Sequence, residues 1–158
     1  MKFELKQIGV IHSALREPSD APIQGVFRPD SCGEVEVFKE YEAGLDGLEG
    51  FSHIILLYWF HRAGPSTLKA APFLDADSPK GIFSIRKPAR PNPIGMSVVR
   101  LLSREGNALK ISEVDILDGT PLLDIKPLVP EFDFREDVRI GWLEKKVRGD
   151  NTRRREQQ

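Results

Sequence analysis

The sequence lacks the residues that mark several large classes of protein. Its 158 residues include one cysteine, Cys32, so no intrachain disulfide framework can form, and a reducing compartment suits such a chain. No pairing of that cysteine with His12, His53 or His61 has metal-ligand spacing, which argues against a metal site. The longest apolar run, Ile54 to Phe60, is far too short to cross a bilayer. Met1 to Gly9 carries charges throughout and has no apolar signal-peptide core. The expectation is a cytoplasmic protein with no membrane contact. There is no Walker-type phosphate loop, and Gly44, Gly47 and Gly50 lie three apart, which is not a dinucleotide fingerprint. No Ser, His and Asp signature and no internal repeat stands out.

What is present is an ordinary soluble composition, 40% apolar and 30% charged, of a length that favours one domain with a normal core. The net charge of -1 conceals a segregation along the chain. From Ser78 to Arg104 there is no acidic residue, but there are Lys80, Arg86, Lys87, Arg90, Arg100 and Arg104. Acids dominate from Glu113 to Asp137, and the end turns basic again with Arg153, Arg154 and Arg155. A positive band of this kind either meets phosphates or a carboxylate, or is a solvated face with compensating acids folded beside it.

Most of the chain reads as short strands. Phe3 to Ser13, Gly33 to Phe38, the doubly apolar Phe51 to Phe60, Gly81 to Ile85, Gly95 to Ser103, Ala108 to Leu117 and Leu122 to Lys126 all carry strand patterns. Gly106-Asn107 joins two of them as a hairpin. Short helices are expected over Glu40 to Leu48 and Val138 to Val147, and a disordered polar tail from Asn151. Two long, proline-bearing loops, Arg16 to Asp30 and Ala63 to Lys80, are candidates for function. In the first, Gln24 is either a turn residue or a site residue. The prediction is a mainly β protein, a single-sheet β-barrel of about six or seven strands, with residues 1–137 as the barrel domain and 138–158 as a C-terminal extension.

The most distinctive stretch of the chain is Arg86-Lys87-Pro88-Ala89-Arg90-Pro91-Asn92-Pro93-Ile94-Gly95. Its prolines fix φ, remove donors and push Lys87, Arg90 and Asn92 toward extended backbone. The segment is stiff, and Gly95 permits a turn or a close backbone approach. It is either a rigid connection or a holder for two guanidiniums and an amide. Hairpin geometry places it at the same end of the sheet as the acidic turn Asp115 to Thr120. Arginine on one side and aspartate on the other suits a zwitterionic ligand. Asp118 reads either as an Asx-type turn former or as a site residue, whereas Asp115, within a strand pattern, favours the site. His53 and His61 stand at the ends of an apolar strand, where a histidine is either satisfied at the surface or lines a site.

Arg90-Pro91-Asn92-Pro93-Ile94-Gly95, with Asp118-Gly119-Thr120-Pro121 and Asp124-Ile125-Lys126-Pro127, resembles the TsaA-like family, whose characterised members are TrmO-type tRNA methyltransferases. Ile8-Gly9-Val10-Ile11-His12-Ser13 and Leu48-Glu49-Gly50-Phe51-Ser52-His53 resemble it too, and the likeness covers roughly residues 5 to 133. It implies a barrel that dimerises, binds S-adenosyl-L-methionine near the subunit interface, and methylates N6 of threonylcarbamoyladenosine at position 37 of tRNA. Carried over by position, the cofactor contacts are Pro22, Ile23, Gln24, His61, Arg62, Arg86, Met96, Val114, Asp115, Ile116, Leu117 and Asp118. Arg90 and Asn92 are candidates for the substrate, and Asp115 for a catalytic base. Methyl transfer needs neither metal nor covalent nucleophile, since the sulfonium is already activated and alignment is the protein's task. Ile23 and Leu128 depart from the family pattern, as do Ile85 and Arg62. The alternatives are the same methyl transfer to another acceptor, including a small molecule, and a module that binds the cofactor without catalysis.

Overall fold

The computed structural model describes residues 4–21, 25 and 28–148. Within them the chain forms β1 (Gly9–Ser13), β2 (Cys32–Val37), β3 (His53–Trp59), β4 (Lys69–Ala70), β5 (Lys80–Gly81), β6 (Ile94–Glu105), β7 (Ala108–Ser112) and β8 (Thr120–Pro127). Six of these close into an antiparallel barrel in the order β1-β2-β7-β6-β3-β8, while β4 and β5 pair as a small separate ribbon. The expected single-sheet barrel is what forms.

Side-chain alternation decides which face of each strand turns inward. Ile54, Leu56 and Tyr58 of β3 are buried, and so are Gly95, Ser97, Val99 and Leu101 of β6. With Ile11, Val35, Val37, Leu109, Ile111 and Leu122 they fill the interior, which is a packed core and not a channel. Register slips at Leu57/Tyr58 in the β3–β8 ladder and at Leu101/Ser103 in the β6–β7 ladder. Such bulges bend long strands enough to close a barrel this small.

The two mouths are sealed differently. At one, a 3-10 helix over Lys39–Leu45 drops Leu45 onto the core. At the other, Val114 and Ile116, from the segment after β7, are fully buried beneath the loops.

Three expectations are corrected. The strand from Ala108 stops at Ser112, not Leu117, because Glu113 takes φ 65° and turns the chain across the mouth. Asp115 therefore stands on a connection, not within a strand. Gly81 to Ile85 is no strand beyond Gly81; a 3-10 turn, Ile82–Ser84, buries Ile82 instead. The expected helices over Glu40 to Leu48 and Val138 to Val147 are 3-10 and π turns, not α-helix.

Candidate active site

Strand directions send three long connections to the mouth closed by Val114 and Ile116: residues 14–31, 60–93 and 113–119. Arg86 to Asn92 and Asp115 to Asp118 thus lie at the same end of the barrel. Pro22, Ile23 and Gln24 belong to the first of these loops and lie outside the described residues, as does the tail from Asn151.

Asp115 is held from below. Ser97 Oγ donates to its Oδ1 at 2.5 Å, and the Gly25 amide donates to its Oδ2 at 3.1 Å. Because the Ser97 proton goes to the carboxylate, the Tyr58 hydroxyl, 3.0 Å away, is the donor to Ser97 Oγ. The relay runs from Tyr58 on β3 through Ser97 on β6 to the mouth. Burial pushes the Asp115 carboxyl up from the ordinary carboxylate range, against hydrogen bonds from Ser97, Gly25 and its own amide and against the charge of Arg86. Burial, with Asp115 beside it, also pushes the Tyr58 phenol up, so it stays a protonated donor.

Two glycines make this packing possible. A Cβ on Gly95 would stand 2.2 Å from the Tyr58 ring, and one on Gly25 would stand 1.7 Å from the Glu113 carbonyl oxygen. The close approach at Gly95 is a Tyr58 ring laid across the backbone opposite it.

Asp118 has a different occupation. Its Oδ1 accepts the Ser13 amide at 3.0 Å, and its Oδ2 accepts from Arg16. The Ser13 amide, then Arg16 and His12, holds its carboxyl below the usual range. Ser13 Oγ in turn donates to the Ile116 carbonyl at 2.6 Å. Asp118 therefore ties the 113–119 connection to the end of β1. Arg62 braces the same loop, donating to Glu17 at 2.8 Å and to the Arg16 carbonyl at 2.5 Å. Its neighbour His61 is exposed, and partial burial and then the Arg62 charge lower its pKa, leaving a neutral imidazole at the rim.

Arg90 turns back on its own segment: its guanidinium donates to the Ile85 carbonyl at 3.1 Å and to Lys87 at 3.4 Å. It shapes the stiff loop, while Asn92 is exposed above it. Much of the positive band is neutralised. Lys80 pairs with Asp75, Arg100 with Glu113, and Arg104 with Asp46 and Glu49, while the charge of Arg86 acts on Asp115 at the mouth. Met96 is not gathered with the others. It lies on the outer face of β6, 48% exposed, back to back with the inward Ser97.

The family model for the tRNA-methyltransferase O N-terminal domain matches residues 10–134. The chain belongs to that family. A relative in Pyrococcus abyssi, named "Probable S-adenosyl-L-methionine-binding protein", is 60% identical over 142 residues, 90% of this chain and 77% of its own length. The tRNA (adenine(37)-N6)-methyltransferase of Escherichia coli is 36% identical over 151 residues, 90% of this chain and 64% of that protein. The crystal structure of TrmO from Pseudomonas aeruginosa superposes with a TM-score of 0.77 at 40% identity, covering 89% of this chain and 62% of that one. This TrmO-family chain thus spans less than two thirds of the length of these two bacterial proteins.

Sequence reasoning missed Tyr58, Ser97 and Gly25 as parts of this candidate site. A signal for two of them was available. Ser97 sits on the inward register of β6 among Gly95, Val99 and Leu101, and Tyr58 on that of β3 after Ile54 and Leu56. A polar group on an apolar register must find a buried partner. Gly25, distant in sequence from Asp115, offered no comparable signal.

Proposed function

We propose that this chain is an S-adenosyl-L-methionine-dependent methyltransferase acting on N6 of threonylcarbamoyladenosine at position 37 of tRNA. The observation that carries the reading is the half-buried Asp115, within the field of Arg86 at the mouth where the three long connections meet, in a chain of the TrmO family.

The residues at this mouth fit the proposed cofactor. A sulfonium amino acid joined to a nucleoside carries a carboxylate, a positive centre and ribose hydroxyls. Arg86 is suited to the carboxylate, the Asp115 carboxylate to a hydroxyl or the positive centre, and neutral His61 to a hydrogen bond without adding a competing charge. Leu117 offers a half-buried apolar side chain beside Val114 and Ile116, whose side chains are buried in the core, and Pro22, Ile23 and Gln24 are assigned to the cofactor by sequence position alone. When bound, the cofactor supplies an activated methyl group, so the chain's task is alignment and exclusion of water. Asp115 is also the group placed to take the proton that the acceptor nitrogen gives up on methylation. Its raised pKa makes it a better base than a solvated carboxylate.

A second copy of the chain completes this reading. On the outer face of the barrel, Ile55, Leu57 and Trp59 of β3 stand opposite Val98, Met96 and Ile94 of β6. Three apolar cross-strand pairs, with Ile94, Met96 and Val98 all exposed, make a face suited to self-association. In a dimer, Met96 would reach a site at the interface that it cannot reach within its own barrel.

The test is methyl transfer from labelled S-adenosyl-L-methionine to tRNA with and without threonylcarbamoyl modification at position 37. Label on the modified tRNA alone is the expected result. No label on either, with cofactor binding shown in parallel, would move the acceptor elsewhere. Turnover without RNA that ignores salt would point to a small molecule, because phosphate contacts make RNA binding salt-dependent.

A further inference from the structure

The family match ends at residue 134, yet the chain continues and returns to the loop that bears Arg86. Gly141, at φ 56°, turns the backbone so that Trp142 lies half-buried against the 73–84 region. The Trp142 indole Nε1 donates to the Ser84 carbonyl at 2.9 Å, two residues before Arg86. The Lys80 ammonium stands 5.3 Å from the centre of the same ring. Lys80 is itself held by Asp75 at 2.9 Å and by Ser78 Oγ at 2.8 Å, and Asp75 takes a second cation from beyond the barrel, Lys146, at 3.5 Å. One ring, one indole donor and two ammonium groups sharing a carboxylate thus fasten residues 142–146 onto β5 and the turn after it.

Trp142 adds a tie from outside to a turn otherwise held from within. Ile82 and Ile85 are buried, but Phe83, Ser84 and Arg86 are exposed, and the turn closes through the Ile85 amide on the Ile82 carbonyl at 3.3 Å and Ser84 Oγ on the Gly81 carbonyl at 2.8 Å, with Arg90 on the Ile85 carbonyl at 3.1 Å. Fixing the Ser84 carbonyl from outside removes the freedom of the link that leads directly into Arg86. An arginine grips a carboxylate well only when its backbone is already in place, since ordering it on binding costs affinity.

We propose that residues 138–148 form a clamp that presets the position of Arg86, with Trp142 as its positioning residue. The effect on ligand rests on the functional reading above, whereas the mechanical effect does not. The experiment therefore reads both in the full chain: amide hydrogen exchange across Ile82 to Arg86 without ligand, and the affinity for S-adenosyl-L-methionine by calorimetry. W142A should release exchange in that stretch and weaken binding by about tenfold, while circular dichroism stays that of the wild type. W142F keeps the ring beneath Lys80 and loses only the indole donor, so its effect should fall between. In an R86A background W142A should weaken binding no further, because a clamp acting through Arg86 has nothing left to position. Unchanged exchange in W142A would overturn the clamp. Released exchange with wild-type affinity, or an undiminished loss in the R86A background, would overturn its role in positioning Arg86. No binding by the wild type, with exchange still released in W142A, would sink the functional reading and leave the clamp standing.

Discussion

At the mouth where β6 turns into β7, the chain reverses in two residues, Gly106 and Asn107, and the 39–45 turn seals the barrel with Leu45 backed by Tyr41 and Leu48. At the opposite mouth the connections are long, and the seal is a strip in which buried Val114 and Ile116 alternate with Asp115 and Leu117. Both seals exclude water from the same core. Only the second does so with a carboxylate embedded in it, and that carboxylate is braced by a serine, a tyrosine and a glycine amide. One mouth is built for stability and the other trades some of it for a poised charge.

The sharpest way to break the contrast is Gly95→Ala. The added Cβ has no room against the Tyr58 ring, which must move and take Ser97 and Asp115 with it. A stability loss of about 2–4 kcal/mol by chemical denaturation is expected, together with loss of cofactor binding.

Leu45→Ala tests the other mouth. It should also cost about 2–4 kcal/mol but leave affinity for S-adenosyl-L-methionine unchanged in the folded fraction. Arg86→Ala should fall mainly on binding, weakening it about 10- to 100-fold, with a smaller stability loss at neutral pH because its charge offsets the burial of the Asp115 carboxylate.

Asp115→Asn separates function from stability by sign. Its folded-state pKa is raised, so the protonated carboxyl favours folding below the unfolded pKa, and that advantage is lost as pH rises through the folded value. At neutral pH the ionised group is a cost. With its oxygen toward the Gly25 amide and its NH2 donating to Ser97 Oγ, which then turns its own proton to Tyr58, the amide can fill the site without the charge, so the variant should melt higher than the wild type at neutral pH. The gap should close on acidification, and methyl transfer should be lost throughout. A variant that melts lower at neutral pH would contradict the buried-charge account.

Asp118→Asn should show the opposite pH trend with a smaller amplitude. Its depressed pKa means its contribution is present above the unfolded pKa and lost as pH falls through the folded one. A loss of about 1 kcal/mol near neutrality, vanishing in acid, is the expected outcome of a thermal-melt series.

Much of the barrel was readable because inward and outward positions alternate along β3 and β6 with few exceptions. The same logic misled at Val114-Asp115-Ile116. Alternation there reflects a strip laid over the barrel mouth, and the positive φ of Glu113 that redirects the chain has no mark in residue type, since glycine would be the usual choice. The positive band was legible as composition, but its cancellation at Arg100 and Arg104 was not, since the acids that meet them lie on distant segments.

By itself the sequence determined what local chemistry can specify: the stiffness of Pro88 to Pro93, the strand periods, the hairpin at Gly106-Asn107, and a set of motifs shared with one family. Only the tertiary structure decided what those residues do to one another. Burial raises the pKa of Asp115 against hydrogen bonds from Gly25 and Ser97, Arg104 is met by Asp46, and Trp142 is brought to Ser84. Each is a contact between residues remote in sequence or a consequence of burial, and burial exists only once the barrel has closed.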